Sequence, residues 1–428
     1  MAARRHKGDQ EAPKKTDRQF DPNRVPASDA SRKIVSLLIK FVEHAETQTG
    51  RRKRKRRTSD QKTFETIASA VICDVMHREL TEPGGAIAVP FSKQVLGRTD
   101  RYGSPVLTKT FPDVVKRLAS PMVGALELTL GSPSPFGRLR TTIRCGWNLR
   151  DEMTKREIAV ADLRRTTTHE VIVLKTRAAG KREAKWTDYK DSTATHRYRR
   201  EMERVNDWIA KGDIYCDAVG PDGEMVDDGD RLLRRYFTES FKEGGRLFGG
   251  FWQSLKKQQR LKDIAIGGQP VVVLDYAQMG ARIAYGMAGA DLPEGDLYTL
   301  PGFEPYRSVV KQMFNALLFD ESERQRMPMG TRKDVPDHIT WRDFHHAIRA
   351  KHDAIKQLFG TGIGMQTMFI ESQILVAVLL ELIDQRVVAL PIHDAIIVAL
   401  PHQEQAKRVM LETFRRMAGV EGRVEVEG

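Results

Sequence analysis

Val271-Val272-Val273-Leu274-Asp275-Tyr276 decides the reading of this chain, together with its counterpart Leu390-Pro391-Ile392-His393-Asp394-Ala395-Ile396-Ile397-Val398. Each apolar run is short, rich in β-branched residues and bounded by turn formers. Each is therefore expected to be a buried strand, the second folded into a hairpin with His393-Asp394 at its bend. A carboxylate at the mouth of a buried strand is unfavourable unless it is solvated, paired or bound to a cation. Asp275 and Asp394 stand 119 positions apart and can converge from neighbouring strands. Such a pair suits two Mg2+ ions and in-line phosphoryl transfer.

Outward from these strands the apolar spacing predicts three helices: about Gln278 to Met287, Tyr306 to Phe319, and Met365 to Leu382. Val309, Val310, Met313, Phe314 and Leu317 line one side of the second. Arg307 and Lys311 are four apart and share another of its faces. A planar guanidinium and an ammonium on one face suit a polyphosphate.

These segments resemble, in order, the three motifs of family A nucleic-acid polymerases, which include bacterial DNA polymerase I and the phage-type single-subunit RNA polymerases. Asp275-Tyr276-Ala277-Gln278-Met279-Gly280-Ala281-Arg282 is similar to motif A, Asp-Tyr-Ser-Gln-Ile-Glu-Leu-Arg in the DNA enzymes. Arg307-Ser308-Val309-Val310-Lys311 with Phe319 is similar to motif B, and His393-Asp394 to the core of motif C. Gly244-Gly245-Arg246-Leu247 resembles the Thr-Gly-Arg-Leu that precedes motif A, and Gln366 the glutamine before motif C. The resemblance spans about residues 236–415. It implies that Asp275 and Asp394, with the Tyr276 carbonyl, hold two Mg2+ ions. Arg307 and Lys311 would take the triphosphate of a nucleotide, and Arg246, Gln366 and His393 the primer-template DNA. Gly280 replaces the motif A glutamate that blocks a ribose 2′-hydroxyl, and Phe319 replaces the motif B tyrosine. Sugar selection is therefore expected to be relaxed. The activity implied is template-directed nucleotide transfer, as a DNA polymerase or as an RNA polymerase or primase, serving a mobile element or phage. A DNA-binding replication initiator without catalysis is the alternative from another class.

The rest of the chain is read from composition. Residues 1–60 carry 17 Lys/Arg against 8 Asp/Glu, with Arg51, Arg52, Lys53, Arg54, Lys55, Arg56 and Arg57 as the densest run. This segment is expected to be a disordered basic arm drawn to nucleic acid by counterion release. Residues 61–150 are expected to form a winged-helix-like DNA-binding domain, because helices precede two alternating segments at 126–130 and 138–145. Residues 151–235 are expected to be a helical, thumb-like or linking region, and 236–428 a palm with reduced helical fingers. The whole is thus an α+β protein. Asp222-Gly223-Glu224 has the Asp-x-Glu spacing of metal-dependent exonucleases, but its flanking residues predict a turn. No apolar stretch is expected to span a bilayer. The polar N-terminus and three scattered cysteines point to a cytoplasmic setting with buried thiols.

Overall fold

The computed structural model describes residues 18–92, 96–97, 101–134, 137–138, 140–166, 170–178, 183–220 and 225–427. Residues 1–17 of the expected arm and the Asp222-Gly223-Glu224 spacing lie outside them. The chain forms two compact units, one of residues 1–169 with 219–225 and one of 170–218 with 226–428. Both mix helices and strands.

In the first unit the expectation of a disordered arm is corrected from residue 18 onward. Arg18–Gln19 pairs with Ile87–Ala88, and Arg24–Pro26 with Leu163–Arg165. Asp29–Gln48 is a long helix opened by a Ser28/Ser31 capping box. Phe20 is buried with its ring 5.1 Å from Phe111, and Arg18 donates to buried Asp74 at 2.8 Å. The basic run joins this helix to Thr58–Thr81 instead of trailing in solvent. Buried Glu46 accepts from Arg52 at 3.1 Å, from Arg56 at 2.8 and 2.6 Å, and from Arg117. Arg56 also lies 3.8 Å over the Phe64 ring. Two of the seven basic residues therefore hold the fold together, a role that charge counting alone hides.

The expected ribbon exists as Leu126–Thr129 against Thr142–Cys145, but it is one side of a four-stranded sheet that draws in residues 18–19 and 87–88. The unit thus begins well before residue 61 and extends past 150, through Trp147–Lys155 to Leu163–Arg165. Those boundaries are corrected accordingly.

The second unit also starts earlier than expected, at residue 170. Ile172–Lys175, Arg234–Thr238 and Ser240–Phe248 form a three-stranded sheet, and Thr193–Lys211 is the helix anticipated in this region. The main sheet has the order Ile214–Cys216, Ile264–Ile266, Gln269–Tyr276, Ala395–Ala399, Ala389–Ile392, with Val424–Glu427 also paired to Gln269–Tyr276. Val271 to Leu274 are all buried, which explains why this strand is continuously apolar where half-buried strands alternate. Helices Gly364–Asp384 and Gln403–Ala418 contribute Ile374, Leu379, Val409, Met410 and Phe414 to the same core.

Gly245 shows what lets these layers approach. Its φ is +87°, and a Cβ there would stand 2.5 Å from Ser372 Oγ on helix Gly364–Asp384. Across that contact buried Arg235 donates to the Gly245 carbonyl at 3.0 Å and to Ser372 Oγ at 3.1 Å. Helix Gly364–Asp384 is long and apolar enough to cross a membrane by length and composition, which corrects the expectation that no such stretch exists. In this fold it carries buried Glu371 and Ser372, both bonded to arginines of the three-stranded sheet.

A second cluster within this unit gathers around Phe314 and Phe344. It joins Met279–Ala288, Arg307–Phe319 and Trp341–Lys351. Buried His352 ties it to the loop before Arg307: Nε2 lies 3.0 Å from the Leu297 carbonyl and Nδ1 2.8 Å from the Tyr285 hydroxyl. A carbonyl only accepts, so Nε2 carries the proton. Burial, which pushes this imidazole down to about 4, keeps it neutral.

Candidate active site

Asp275 is the penultimate residue of Gln269–Tyr276, flanked by cross-strand partners on both sides: Ala395 in one neighbour and Glu425 in the other. Asp394 sits in the hairpin turn next to Ala395. The Tyr276 N–H reaches the Asp394 carbonyl at 3.3 Å. The two aspartates therefore stand at the ends of adjacent strands. Tyr276 fixes the strand end from behind, since its buried ring donates its hydroxyl to the Met410 carbonyl at 2.6 Å.

A cavity of about 350 Å3 opens in front of this pair. One wall carries Asp275, Asp394 and Glu425, another Arg307, Lys311 and Phe319. Gly280 and Arg246 also line it, with Thr367, Met368 and Glu371 from helix Gly364–Asp384. Three basic side chains, Arg246, Arg307 and Lys311, thus share a small space with four acidic ones, Asp275, Glu371, Asp394 and Glu425, brought together by the fold.

The electrostatics of the pair are dominated by burial and by the proximity of the two carboxylates. Asp275 Oδ1 is buried without a hydrogen-bond partner. Burial, followed by the neighbouring Asp394 charge, pushes the Asp275 carboxyl up to about 6; Glu427 and Glu425 add to the effect and Lys311 opposes it. Buried acceptors are normally satisfied, so an orphaned carboxylate oxygen needs a reason. A divalent cation supplies one. Mg2+ typically takes one or two protein carboxylates and completes its shell with water and phosphate oxygens, which fits a pair that faces two basic residues.

Arg307 on the basic wall is held by Asp296. Asp296 Oδ2 accepts from Arg307 Nε at 3.1 Å, from Arg307 Nη2 at 2.7 Å and from Gln278 Nε2 at 2.6 Å. Asp296 Oδ1 accepts from the Tyr298 N–H at 2.8 Å. Burial would raise this carboxyl, but the Arg307 bond and the Tyr298 N–H outweigh it and hold it below the ordinary range. Lys351 Nζ bonds the carbonyls of Asp296 and Thr299 at 2.5 and 2.6 Å, which anchors the loop itself. Arg307 also lines the cavity. Arg246 bonds buried Glu371 at 2.7 Å. Burial disfavours the Arg246 charge, yet Glu371 more than offsets this and pushes the guanidinium above its usual range.

No protein-family model matches this chain, and no curated protein matches it in sequence. Among solved structures it is similar to the POL domain of Pol1 from M. smegmatis in complex with DNA primer-template and dNTP. The identity is 10%, the match covers 94% of this chain and 66% of that one, and the TM-score is 0.33. So loose a likeness carries no argument, and the chemistry rests on the site itself.

Asp275, Tyr276, Gly280, Arg307, Lys311, Phe319, Arg246 and Asp394 all meet at the cavity. Gln366 and His393 do not line it. Gln366 is exposed, whereas Thr367, Met368 and Glu371 of the same helix face the cavity. His393 is exposed beside Asp394, its ring 5.6 Å from that of Phe248. Partial desolvation by the residues around it, followed by the Arg246 charge, lowers its basicity. Sequence reasoning missed Asp296, Glu371 and Glu425. Glu425 stands in Val424-Glu425-Val426-Glu427, whose alternation is itself a strand signal, but nothing local shows which strand it joins.

Proposed function

We propose that this protein is a template-directed nucleotidyltransferase acting on nucleoside triphosphates and primer-template DNA. The observation that carries it is the Asp275–Asp394 pair, one oxygen of which is buried and unpartnered, in a cavity shared with Arg307 and Lys311. Asp275 and Asp394, helped by the Tyr276 carbonyl, would hold Mg2+. The chemistry such ions would supply is acidification of a primer 3′-hydroxyl and stabilisation of a leaving pyrophosphate. The chain's own residues do the rest. The Arg307 guanidinium and the Lys311 ammonium receive the triphosphate, and Asp296 helps to hold Arg307 in place for it.

The reading as a DNA polymerase with relaxed sugar choice follows from the motif resemblance together with Gly280 and Phe319. A Cβ at Gly280 would meet only Thr367 Cγ2, at 3.8 Å, so the space a larger residue would close is open. Phe319 has no hydroxyl with which to read a sugar. The same openness favours an RNA polymerase or primase as the second reading. A DNA-binding initiator without catalysis is less well supported, because it gives Asp275 no reason to bury an unpaired oxygen. The first unit, with its ribbon and surplus of arginines, would contribute duplex binding. The test is Mg2+-dependent incorporation by the wild-type chain, Asp275→Asn and Asp394→Asn. Activity confined to the wild type is expected, and activity retained in both variants overturns the assignment.

A further inference from the structure

The three-stranded sheet presents a second surface that meets the cavity only at Arg246. Along Arg234–Thr238, Arg235 and Phe237 point inward and are fully buried, while Arg234 and Tyr236 lie on the outer, partly exposed face. On the neighbouring strand Arg246 and Phe248 share that outer face. Their register sets Tyr236 directly opposite Arg246, and Arg234 directly opposite Phe248. Arginine and aromatic side chains thus alternate both along the strands and across them.

The rings form a continuous row. Trp186 lies 6.3 Å from Tyr236, Tyr236 5.7 Å from Phe248, and Phe248 5.6 Å from His393, each pair edge to face. Trp186 is 43% exposed and Phe248 38%. A run of large exposed rings on a sheet is unfavourable in water without a partner to cover it. Cations flank it: Arg234 sits 6.0 Å over Trp186 and Lys175 5.9 Å over Tyr236. The row ends at His393, next to Asp394, and Arg246 carries its basic edge into the cavity wall.

We propose that this face is a stacking platform for single-stranded nucleic acid, along which an unpaired strand runs to or from the cavity. Bases offer the flat faces that such rings bind whatever the sequence, and phosphates match the interleaved cations. Charge complementarity and continuity with the carboxylate pair select this occupant over an apolar protein segment. The inference extends the proposed function but is tested by binding alone.

The experiment is fluorescence anisotropy of the full chain with a fluorescein-labelled 20-nucleotide oligo(dT) and, separately, a blunt 20-base-pair duplex, without nucleotides. Trp186→Ala and Tyr236→Ala are each expected to weaken oligo(dT) binding at least fivefold while duplex binding stays within twofold. Trp186→Phe, which keeps a ring, should restore most of the affinity, a result that misfolding would not give. Affinity for oligo(dT) unchanged in both alanine variants overturns the proposal. So does equal loss on the duplex, which would mark a general phosphate surface or damaged fold. Platform variants that lose oligo(dT) binding, in a chain that incorporates no nucleotide, would leave the platform standing and remove the catalytic reading.

Discussion

At the scale of the residue, Asp275 concentrates the physics of this protein. Its carboxyl is pushed from an ordinary 3.8 to about 6. The native state therefore holds an extra proton between those pH values. The stability associated with this group is greatest below about pH 4 and declines as pH rises toward 6. Asp275→Asn should accordingly stabilise the metal-free protein at pH 8, by ~1–3 kcal/mol, and leave it unchanged near pH 4. Urea unfolding at the two pH values checks this, and no gain at pH 8 would show that the carboxylate is already compensated. The same shift means that protons compete with Mg2+ for the site, so Mg2+ affinity measured by calorimetry should fall as pH drops through 6. Asp296 acts one step further out. Asp296→Ala should raise the KM for the nucleotide about tenfold, with a smaller change in kcat, because Arg307 then loses its fixed direction. Asp296→Asn, which can still accept from Arg307, should fall between. An unchanged KM in steady-state kinetics would relieve Asp296 of any positioning role.

At the scale of the element, close approach and open space make opposite demands on glycine. Gly245→Ala forces a side chain against Ser372 at a φ of +87°, whereas Gly268, in a turn at φ +68°, has nothing within 4 Å. The first substitution should cost ~2–4 kcal/mol and the second about 1 kcal/mol. Thermal unfolding of the two variants separates packing from backbone strain, and equal losses would contradict the role given to the strand–helix contact. Gly280 is the second residue of helix Met279–Ala288 and lines the cavity with only Thr367 near its Cβ position. Gly280→Glu should therefore fold normally and reduce ribonucleotide use at least tenfold relative to deoxyribonucleotides. Unchanged sugar preference in competition assays would refute the argument from open space.

At the scale of the whole molecule, the second unit was largely legible because its information is local. Four consecutive buried apolar residues mark strand Gln269–Tyr276, and the hairpin around His393-Asp394 and the helices at 307–319 and 364–384 follow from apolar spacing. The positions that escaped are those fixed by register. Glu425 reaches the cavity only because Val424–Glu427 pairs with strand Gln269–Tyr276, and Gln366 misses it because its neighbours occupy that face of the helix. The first unit was misread for a different reason. Its charge looks like a solvated arm until Glu46 is seen to gather Arg52 and Arg56 from the basic run and Arg117 from helix Phe111–Leu118. Composition records how many charges there are but not which of them meet.

The central claim is that Asp275 and Asp394 form a Mg2+-dependent nucleotidyl-transfer site, and extension of a labelled primer-template tests it most directly. The wild type should extend the primer with Mg2+. Asp275→Asn and Asp394→Asn should each lose roughly 10³-fold or more in rate while binding the primer-template as the wild type does. Extension retained in both variants, or none by a wild-type chain that binds the primer-template tightly, would contradict the account.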